Sequence, residues 1–472
     1  MPQPITSRTR LTALIVACAL FMQNLDSTVI ATALPTMARA FGADPVHMNV
    51  ALTSYLLSLA VFIPASGWFA DRYGTRTVFR AAIAVFTVGS VLCGRAESLS
   101  FLVAARILQG MGGAMMVPVG RLVLLRTVGK AELVAAMAWL TIPALIGPVI
   151  GPPLGGFIVT YADWRWIFDI NVPIGVLGIV LVTRYVQDVR EPGVGRLDAQ
   201  GLLLSGIGMA GLLFGLETAG RGVLAGWVTG LLLGSGLLAW TLYALHARRM
   251  VRGHLRPVLD FGLLAIPTFR VAVLAGSLFR IGVGAVPFLL PLMLQLGFGL
   301  TPVASGMITF ASSAGALVMK AAAQHALRRL GFRTTLIWNG IASALLLGAC
   351  ALFRPSWPLA GLYAVLLLGG FLRSLQFTAY NTIAYADIPG PRMSSATSFY
   401  ATLQQLSLTV GVSAGAGALE LSTVLSGHSS PGVTDFSWAF ATVAVVSLLA
   451  TFSAVRLPQD AGSELSGHVA RG

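Results

Sequence analysis

Long runs of apolar residues, separated by short polar segments, make up most of this chain. A run of about 20 apolar residues crosses a bilayer as a helix, and most of the runs reach that length. A membrane β-barrel would instead show strands that alternate between apolar and polar residues. The pattern predicts an all-α membrane protein with fourteen transmembrane helices, at residues 11–34, 47–69, 78–95, 100–123, 132–157, 165–187, 198–217, 225–245, 268–297, 303–324, 333–352, 358–384, 394–423 and 435–455.

The composition agrees with this prediction and narrows the class of protein. Of 472 residues, 56% are hydrophobic and 10% are charged, whereas soluble domains carry about 25% charged residues. A net charge of +14 would suggest a nucleic-acid partner in a soluble protein, but here the positions of the charges explain it. The three cysteines lie far apart within apolar runs, so no metal site is predicted.

The basic residues predict the orientation of the chain in the membrane. An even number of spans puts both termini on one side, and most lysines and arginines then fall on that side. Because positive charge accumulates on the cytoplasmic side, both termini are predicted to be cytoplasmic, in a bacterial inner membrane. This bias accounts for the net charge without nucleic acid, and the outer side keeps only Arg39, Arg95, Arg165, Arg221 and Arg354.

A short basic turn occurs twice and predicts an internal repeat. Asp71–Arg76 follows the second span and Arg328–Arg333 follows the tenth, which are equivalent positions in a transporter built from parallel repeats. We therefore predict a six-helix bundle at 1–197, an inserted helix pair with a cytoplasmic connector at 198–267, and a second six-helix bundle with a short tail at 268–472.

The connections are too short to hold an ATPase, so transport would use an ion gradient and no cofactor. A monomer in the lipid bilayer is expected.

Asp26 and Arg106 are charged residues at similar predicted depths. Asp26 lies about 22 Å from the cytoplasmic start of the first span, and Arg106 lies about 9 Å from the outer start of the fourth. In a hydrocarbon core of about 30 Å these depths agree, so the two side chains are predicted to meet. Protonation of Asp26 would break the contact, and a carboxylate inside a membrane is a functional candidate. The alternative is that Arg106 extends outward to the interface.

The turn after the second span combines two glycines with an acidic residue and two arginines, a combination that predicts a specific contact. Gly67 permits close helix approach and Gly74 permits a tight turn. Asp71 lies just before Arg72 and Arg76 and could pair with an arginine or sit at a helix N-terminus. We predict a gating latch on the cytoplasmic side; the alternative is an ordinary basic loop.

The fifth span contains a run of glycines and prolines, ALIGPVIGPPLGG, at residues 144–156. Three glycines recur every four residues and form one flat helix face, and the prolines are expected to kink the helix. The predicted partner of this face is the tenth span, 303–324, which also carries small residues. The residues of the motif are Gly147, Pro148, Gly151, Pro152, Pro153, Gly155 and Gly156.

The second half of the chain carries its own charges inside spans. Arg280 and Arg373 are too deep to reach the membrane surface easily, whereas Lys320 lies close enough to the cytoplasmic side to extend there. The two arginines could brace helix-end carbonyls, or they could line a cavity for an anionic substrate. Gln23 and Met115 are further candidates for the wall of a substrate cavity.

These motifs together resemble the major facilitator superfamily and, within it, the fourteen-helix drug:proton antiporter family of multidrug resistance proteins. The similar segments are the turn 67–76, Leu25–Pro35 of the first span, the run 144–156, and 164–175 at the start of the sixth span. The resemblance implies that Asp26 carries protons and that the run 144–156 is an antiporter motif. Asp169 departs from the family pattern, which usually has a hydrophobic or aromatic residue there.

The resulting hypothesis is an exporter that exchanges protons for small organic molecules by alternating access. An exporter of anionic metabolites or metal chelates is the first alternative. A transporter-like sensor or assembly partner that moves nothing is the second. An enzyme is not expected, because the sequence contains no nucleophile–base pair, phosphate-binding loop or metal cluster.

Overall fold

The computed structural model describes residues 6–41, 49–129, 132–191, 194–218, 225–253, 255, 257–300, 302–428 and 431–468. Within these ranges the regular structure is helical throughout. The α-helices are α1 Ser7–Phe41, α2 Asn49–Phe62, α3 Ser66–Tyr73, α4 Thr75–Gly94, α5 Leu99–Thr127, α6 Leu133–Tyr161, α7 Trp166–Asp169, α8 Asn171–Tyr185, α9 Ala199–Thr218, α10 Gly226–Arg252, α11 Pro267–Gly284, α12 Val286–Leu292, α13 Pro302–Thr334, α14 Gly340–Ala349, α15 Leu359–Ile383, α16 Met393–Leu425, α17 Val433–Ala454 and α18 Ser463–Ser466. The segments Met293–Gly297 and Thr335–Asn339 are π-helical.

Local sequence explains where several of these helices begin and end. Gly74 has φ of 94°, which only glycine adopts without strain, and it separates α3 from α4. Gly331 has φ of 73° and divides α13 near its end. The Ser98 hydroxyl accepts a hydrogen bond from the Phe101 amide at 3.3 Å and caps α5, and Pro267 occupies the first position of α11, where its missing amide costs nothing.

The helices coincide with the predicted spans. A helix, or a series of consecutive helices, covers each of the fourteen predicted positions. Within the described ranges, eleven stretches are long and apolar enough to cross a membrane. The chain is therefore an all-helical, multi-pass membrane protein, and the number of fourteen crossings stays a prediction.

The chain forms two compact units. Unit 1 comprises Met1–Ala210, Gly236–Asp260 and Pro389–Thr402, and unit 2 comprises Gly211–Ser235, Phe261–Ile388 and Leu403–Gly472. The predicted division into bundles at 1–197 and 268–472 with an inserted pair stays a prediction.

Unit 1 is held together by close packing between helices. In it, α1 packs along α6, α4 along α5, and α8 against both α1 and α4. A Cβ atom at Gly112 would lie 2.5 Å from the Phe86 amide nitrogen, and one at Gly89 would lie 2.7 Å from the Gln109 Cα. Since lipid offers no hydrophobic drive for helix association, such close contact is a main source of stability. It also brings the polar side chains of α4 and α5 into reach of α1.

Unit 2 has an equally close helix pair in α13 and α15. A Cβ at Gly315 would overlap the Leu367 carbonyl, and one at Gly370 would overlap the Ser312 carbonyl. Around α17, which packs on α11 and α14, lies an apolar cluster that includes Leu289, Phe436 and Phe440. The α13–α15 pair positions the Lys320 and Arg373 side chains described below.

Candidate functional site

A buried ion pair between Asp26 and Arg106 forms the centre of unit 1. The Arg106 Nη1 lies 2.6 Å from the Asp26 Oδ2, and the two residues are 0% and 3% exposed. Asp26 comes from α1 and Arg106 from α5, so the pair joins two helices that are distant in sequence. The contact that equal depths predicted is present, and Arg106 does not extend to the interface.

The second oxygen of Asp26 is held by two amide side chains. Its Oδ1 accepts hydrogen bonds from Gln109 Nε2 at 2.9 Å and from Asn171 Nδ2 at 3.1 Å. Both amides also donate to the Ser90 hydroxyl, at 3.1 and 2.9 Å, and that hydroxyl donates to the Phe168 carbonyl at 3.2 Å. The two oxygens of Asp26 thus accept hydrogen bonds from three side chains, those of Arg106, Gln109 and Asn171.

Arg106 is fixed by further contacts of its own. Its Nε donates to the Ala51 carbonyl at 3.2 Å, and its Nη1 donates to Gln109 Oε1 at 2.7 Å. The guanidinium carbon lies 4.2 Å from the centre of the Tyr55 ring, a cation–π distance. These contacts do not involve Asp26, so Arg106 keeps several partners if the carboxylate is neutralised.

The Asp26 carboxylate is the group through which a proton would change the contacts between these helices. In the buried site the two charges compensate each other, and removing one leaves the other without compensation at a cost of several kcal/mol. A proton on Asp26 would cancel its charge and add a donor where Arg106 already donates. One proton would therefore weaken the contacts of α1 with α5 and with α8 together.

Sequence reasoning found Asp26 and Arg106 but missed Gln109, Asn171 and Ser90. Gln109 lies three residues after Arg106, on the same helix face, and it is polar within an apolar span. Asn171 begins α8, again within an apolar segment. Intramembrane polarity was thus a usable signal for both amides, whereas a single serine such as Ser90 is too common in membrane helices to be informative.

The Asp71 side chain is buried and makes specific contacts with neighbouring helices. Its Oδ1 lies 2.7 Å from Arg126 Nη2, which also lies 3.1 Å from Glu191 Oε1, and its Oδ2 accepts a short hydrogen bond from the Ser394 hydroxyl. The Gly67 amide donates to Ser398 Oγ at 2.8 Å. All of these residues belong to unit 1.

The remaining residues of this turn have different surroundings. A Cβ at Gly67 would lie 2.6 Å from the Ser394 carbonyl oxygen, so only glycine fits there. Gly74, in its positive-φ conformation, adjoins the Asp188 carboxylate, which accepts from the Arg76 amide at 3.1 Å. Arg72 is exposed. Gating by this turn stays a prediction.

The glycine face of α6 packs on α1, which corrects the predicted partner. A Cβ at Gly147 would lie 3.1 Å from the Leu25 amide nitrogen, and one at Gly151 would overlap the Thr28 hydroxyl. The prediction of the tenth span as partner was wrong, because the small residues of α6 admit the adjacent turns of α1 around Asp26. Gly155 is buried, and α6 is one continuous helix. The predictions for the side chains of Pro148, Pro152, Pro153 and Gly156 lie outside what the structure describes.

Of the basic side chains inside the spans of the second half, Arg280 and Lys320 are buried in unit 2 and Arg373 is partly buried there. Arg280 donates to Asn381 Oδ1 at 3.0 Å, and Arg373 donates to the Gly369 carbonyl at 3.2 Å and to the Ser312 hydroxyl. Lys320 is 4% exposed, with its Nζ 2.7 Å from Thr378 Oγ1. The expectation that Lys320 extends to the cytoplasmic surface was wrong, because its side-chain nitrogen is directed towards Thr378 of α15.

Three further sequence candidates occupy less distinctive positions. Gln23 and Met115 are partly buried, and Gln23 Oε1 is buried without a hydrogen-bond partner in the described part of the chain. Asp169 lies 3.3 Å from Arg95, with side chains 21% and 63% exposed. A pair this accessible contributes about 0–1 kcal/mol, so Asp169 is an outlying contact between α7 and the end of α4.

A helical multi-span fold with a buried, hydrogen-bonded ion pair is typical of membrane transporters. The family model of the Major Facilitator Superfamily matches residues 16–412 and 272–467, and the chain belongs to this superfamily. It is a transporter and not an enzyme. The proteins it resembles in sequence include the putative multidrug resistance protein MdtD of Klebsiella pneumoniae subsp. pneumoniae, 39% identical over 462 residues, with 95% of each chain covered.

Other relatives agree with this placement. The putative multidrug resistance protein MdtD of Salmonella paratyphi B is 38% identical, with 97% of this chain and 96% of the relative covered. Among solved structures, the human organic anion transporter MFSD10 has a TM-score of 0.67 at 14% identity and covers 96% of this chain and all of its own. The proton:xylose symporter XylE has a TM-score of 0.66 at 14% identity, with 98% of both chains covered. At this identity the structural likeness concerns the fold alone.

Proposed function

We propose that this chain is a proton-coupled antiporter that exports small organic molecules of the multidrug type by alternating access. The observation that carries the proposal is the Asp26 carboxylate, buried and held by Arg106, Gln109 and Asn171. An intramembrane carboxylate with so many partners on other helices is costly to bury and marks a proton or ion pathway. The names of the MdtD relatives support export of drugs.

In the proposed cycle, Asp26 alternates between two states. As a carboxylate it binds Arg106 and holds α1 against α5, the state of this structure. When a proton arrives from the outer side, Asp26 becomes neutral, and Arg106 keeps its bonds to Gln109 and Ala51. The helix α1 is then released, the transporter changes its accessible side, and the proton leaves to the cytoplasm in exchange for substrate.

The Asp71 contacts are proposed to act as the cytoplasmic latch of this cycle. Asp71 joins the end of α3 to Arg126 at the end of α5 and to Ser394 at the start of α16. These three helix ends would separate when the cytoplasmic side opens. The proposal includes fourteen crossings of the bacterial inner membrane with both termini cytoplasmic, a monomer as the working unit, and the proton gradient as the source of energy without a cofactor.

Transport in everted membrane vesicles tests the function. Acidifying the vesicle interior is expected to drive uptake of a dye, with ethidium, a neutral dye and the carboxylate fluorescein as the three probes. Asp26→Asn is expected to abolish this uptake, whereas Asp169→Asn, which removes an accessible carboxylate, should leave it unchanged. The variant Asp26→Asn/Arg106→Gln removes both charges and supplies a second test protein if the single variant is poorly folded. Uptake that persists in both Asp26 variants contradicts proton coupling through Asp26.

A second candidate function is export of anionic metabolites or metal chelates. The observation in its favour is that no Asp or Glu occurs between Asp260 and Asp387, while Arg280, Lys320 and Arg373 are held inside unit 2. Buried positive charge would attract a carboxylate and repel a cationic drug. In the vesicle assay this function predicts that fluorescein is transported in preference to ethidium.

A further inference from the structure

Lys320 is a buried amine that the proposed cycle leaves without a role. It lies on α13, and its Nζ donates to the Thr378 hydroxyl of α15 at 2.7 Å. That hydroxyl in turn donates to the Ser374 carbonyl at 2.9 Å, so its own proton is directed away from the lysine. Thr378 Oγ1 is the single polar partner of the Lys320 side chain within the described ranges.

Within the described part of the chain, the elements that pack closely on α13 place no acidic side chain beside Lys320. Along α13 itself the titratable residues are His325, Arg328, Arg329 and Arg333, and no acid occurs on α12, α13, α15 or the two π-helical segments. On α15 the charged residue is Arg373, bonded to Ser312 about 12 Å along α13 from Lys320. The tyrosines of α15 are Tyr363, which is partly exposed, and Tyr380, whose ring lies 5.8 Å from that of Phe279.

Another neighbour of α13 is the short helix α18, which carries an exposed Glu464. It packs where Phe332 meets Gly462, beyond the arginines at the end of α13 and far along the helix from Lys320. A protonated Lys320 is therefore an ammonium ion with three donors, one described acceptor and no carboxylate. An uncompensated charge in such a place costs several kcal/mol.

Lysine differs from arginine in how it can remove this cost. An amine can give up its proton, become neutral and still hydrogen-bond to the threonine hydroxyl, whereas a guanidinium stays charged in proteins. Arg373 also lies on a helix without acidic residues, but its guanidinium has two hydrogen-bond acceptors and stays charged. Of the lysine and arginine side chains on the α13–α15 pair, Lys320 is thus the one whose charge can change during a transport cycle.

We propose that Lys320 is a second proton-exchange group of the transporter, located in unit 2. In the buried state of this structure Nζ is a neutral amine, and when a change of conformation brings water to it, the lone pair of Nζ takes a proton from hydronium. On return to the buried state the N–H bond breaks, the electron pair stays on nitrogen, and the proton passes to water. This inference rests on the proposed antiport for its role in transport, but the exchange itself is a property of Lys320 alone.

Nuclear magnetic resonance of the lysine side chain tests the exchange without any transport. Lys130 and Lys320 are the two lysines of the chain, so purified Lys130→Arg protein labelled with ¹⁵N-lysine gives one side-chain signal. Between about pH 6 and 9 that signal is expected to move from the ammonium to the amine position, although a free lysine stays protonated there. Lys320→Arg should abolish the signal and confirm its origin. An ammonium signal throughout this range overturns the proposal and makes Lys320 a permanent cation.

Transport stoichiometry then tests the role of the exchange. Lys320→Arg fixes the charge and Lys320→Gln removes it, so both are expected to lower the number of protons moved per dye by one in proteoliposomes, while dye counterflow persists. Full proton movement in Lys320→Arg overturns the proposal, because a constant charge would then suffice. If the wild type moves dye without protons, the proposed antiport is wrong. The magnetic resonance experiment then still shows whether Lys320 exchanges a proton.

Discussion

Removing one charge of the central ion pair should destabilise the protein far more than removing both. In Asp26→Asn the amide oxygen can still accept from Gln109 and Asn171, as Oδ1 does now. The amide nitrogen then takes the place of Oδ2, 2.6 Å from Arg106 Nη1, so two donors face each other and the guanidinium is left without a counter-charge. Arg106→Gln leaves the complementary problem, a buried carboxylate without a cation.

The structure sets the scale of these effects. Breaking a fully buried pair by removing one partner costs about 3–5 kcal/mol. At 1.36 kcal/mol per power of ten, that is roughly two to four powers of ten in the unfolding equilibrium. In the double variant Asp26→Asn/Arg106→Gln both residues are neutral amides, which can donate to each other, so its stability should lie closer to that of the wild type than either single variant does.

Unfolding of the purified proteins in detergent, followed by loss of helical circular dichroism, measures the effect. Asp169→Asn is the matched control, because its pair with Arg95 is accessible and worth about 0–1 kcal/mol. The expected order of stability is wild type and Asp169→Asn, then the double variant, then each single variant. A single Asp26→Asn variant as stable as the control, or a double variant whose loss equals the sum of the single losses, would refute the reasoning.

Three other variants test separate parts of the molecule. Asp71→Asn weakens the contact with Arg126 and should shift the balance between inward- and outward-open states. Labelling of engineered cysteines on the two membrane faces measures this balance. If labelling and transport are both unchanged, the turn is an ordinary basic loop without a gating role. Gln109→Leu removes one donor to Asp26, so it should cost about 1–3 kcal/mol of stability and alter the pH dependence of dye counterflow. Wild-type stability together with a wild-type pH dependence would contradict this prediction. Arg280→Gln and Arg373→Gln should each weaken fluorescein export about 10-fold or more with little effect on a neutral dye, if they bind anions. Equal loss for every dye would instead indicate that they brace the helices.

The helical fold and one contact of the candidate site followed from the sequence. Helix positions could be predicted because each run must satisfy its backbone hydrogen bonds within the membrane, which leaves few alternatives to a helix. The Asp26–Arg106 contact followed from a one-dimensional quantity, the depth of each residue along its own helix. Depth does not say which way a side chain points, so Gln109 and Asn171 were not assigned to the site.

The errors have the same physical origin. Small residues at i, i+4 and i+8 predict that α6 has a face for close packing, but many helices could fill it, and α1 does so at Gly147 and Gly151. Lys320 was expected at the surface because its side chain is long enough to reach it. Its direction is set by α15, where the close approach at Gly370 brings Thr378 within reach, and no local signal in the sequence encodes that contact.

The sequence separation of the central ion pair also matters while the protein is being made. Asp26 and Arg106 are 80 residues apart, so at a synthesis rate of about 5–20 residues per second α1 leaves the ribosome about 4–16 s before its partner. During that interval a carboxylate in the first span lacks its cation, and the cost of this charge is at most about 2.5–3.5 kcal/mol, the value for the bilayer centre. The ion pair that joins α1 to α5 can therefore form only after α5 has been synthesised, and until then the first span holds a carboxylate without its partner.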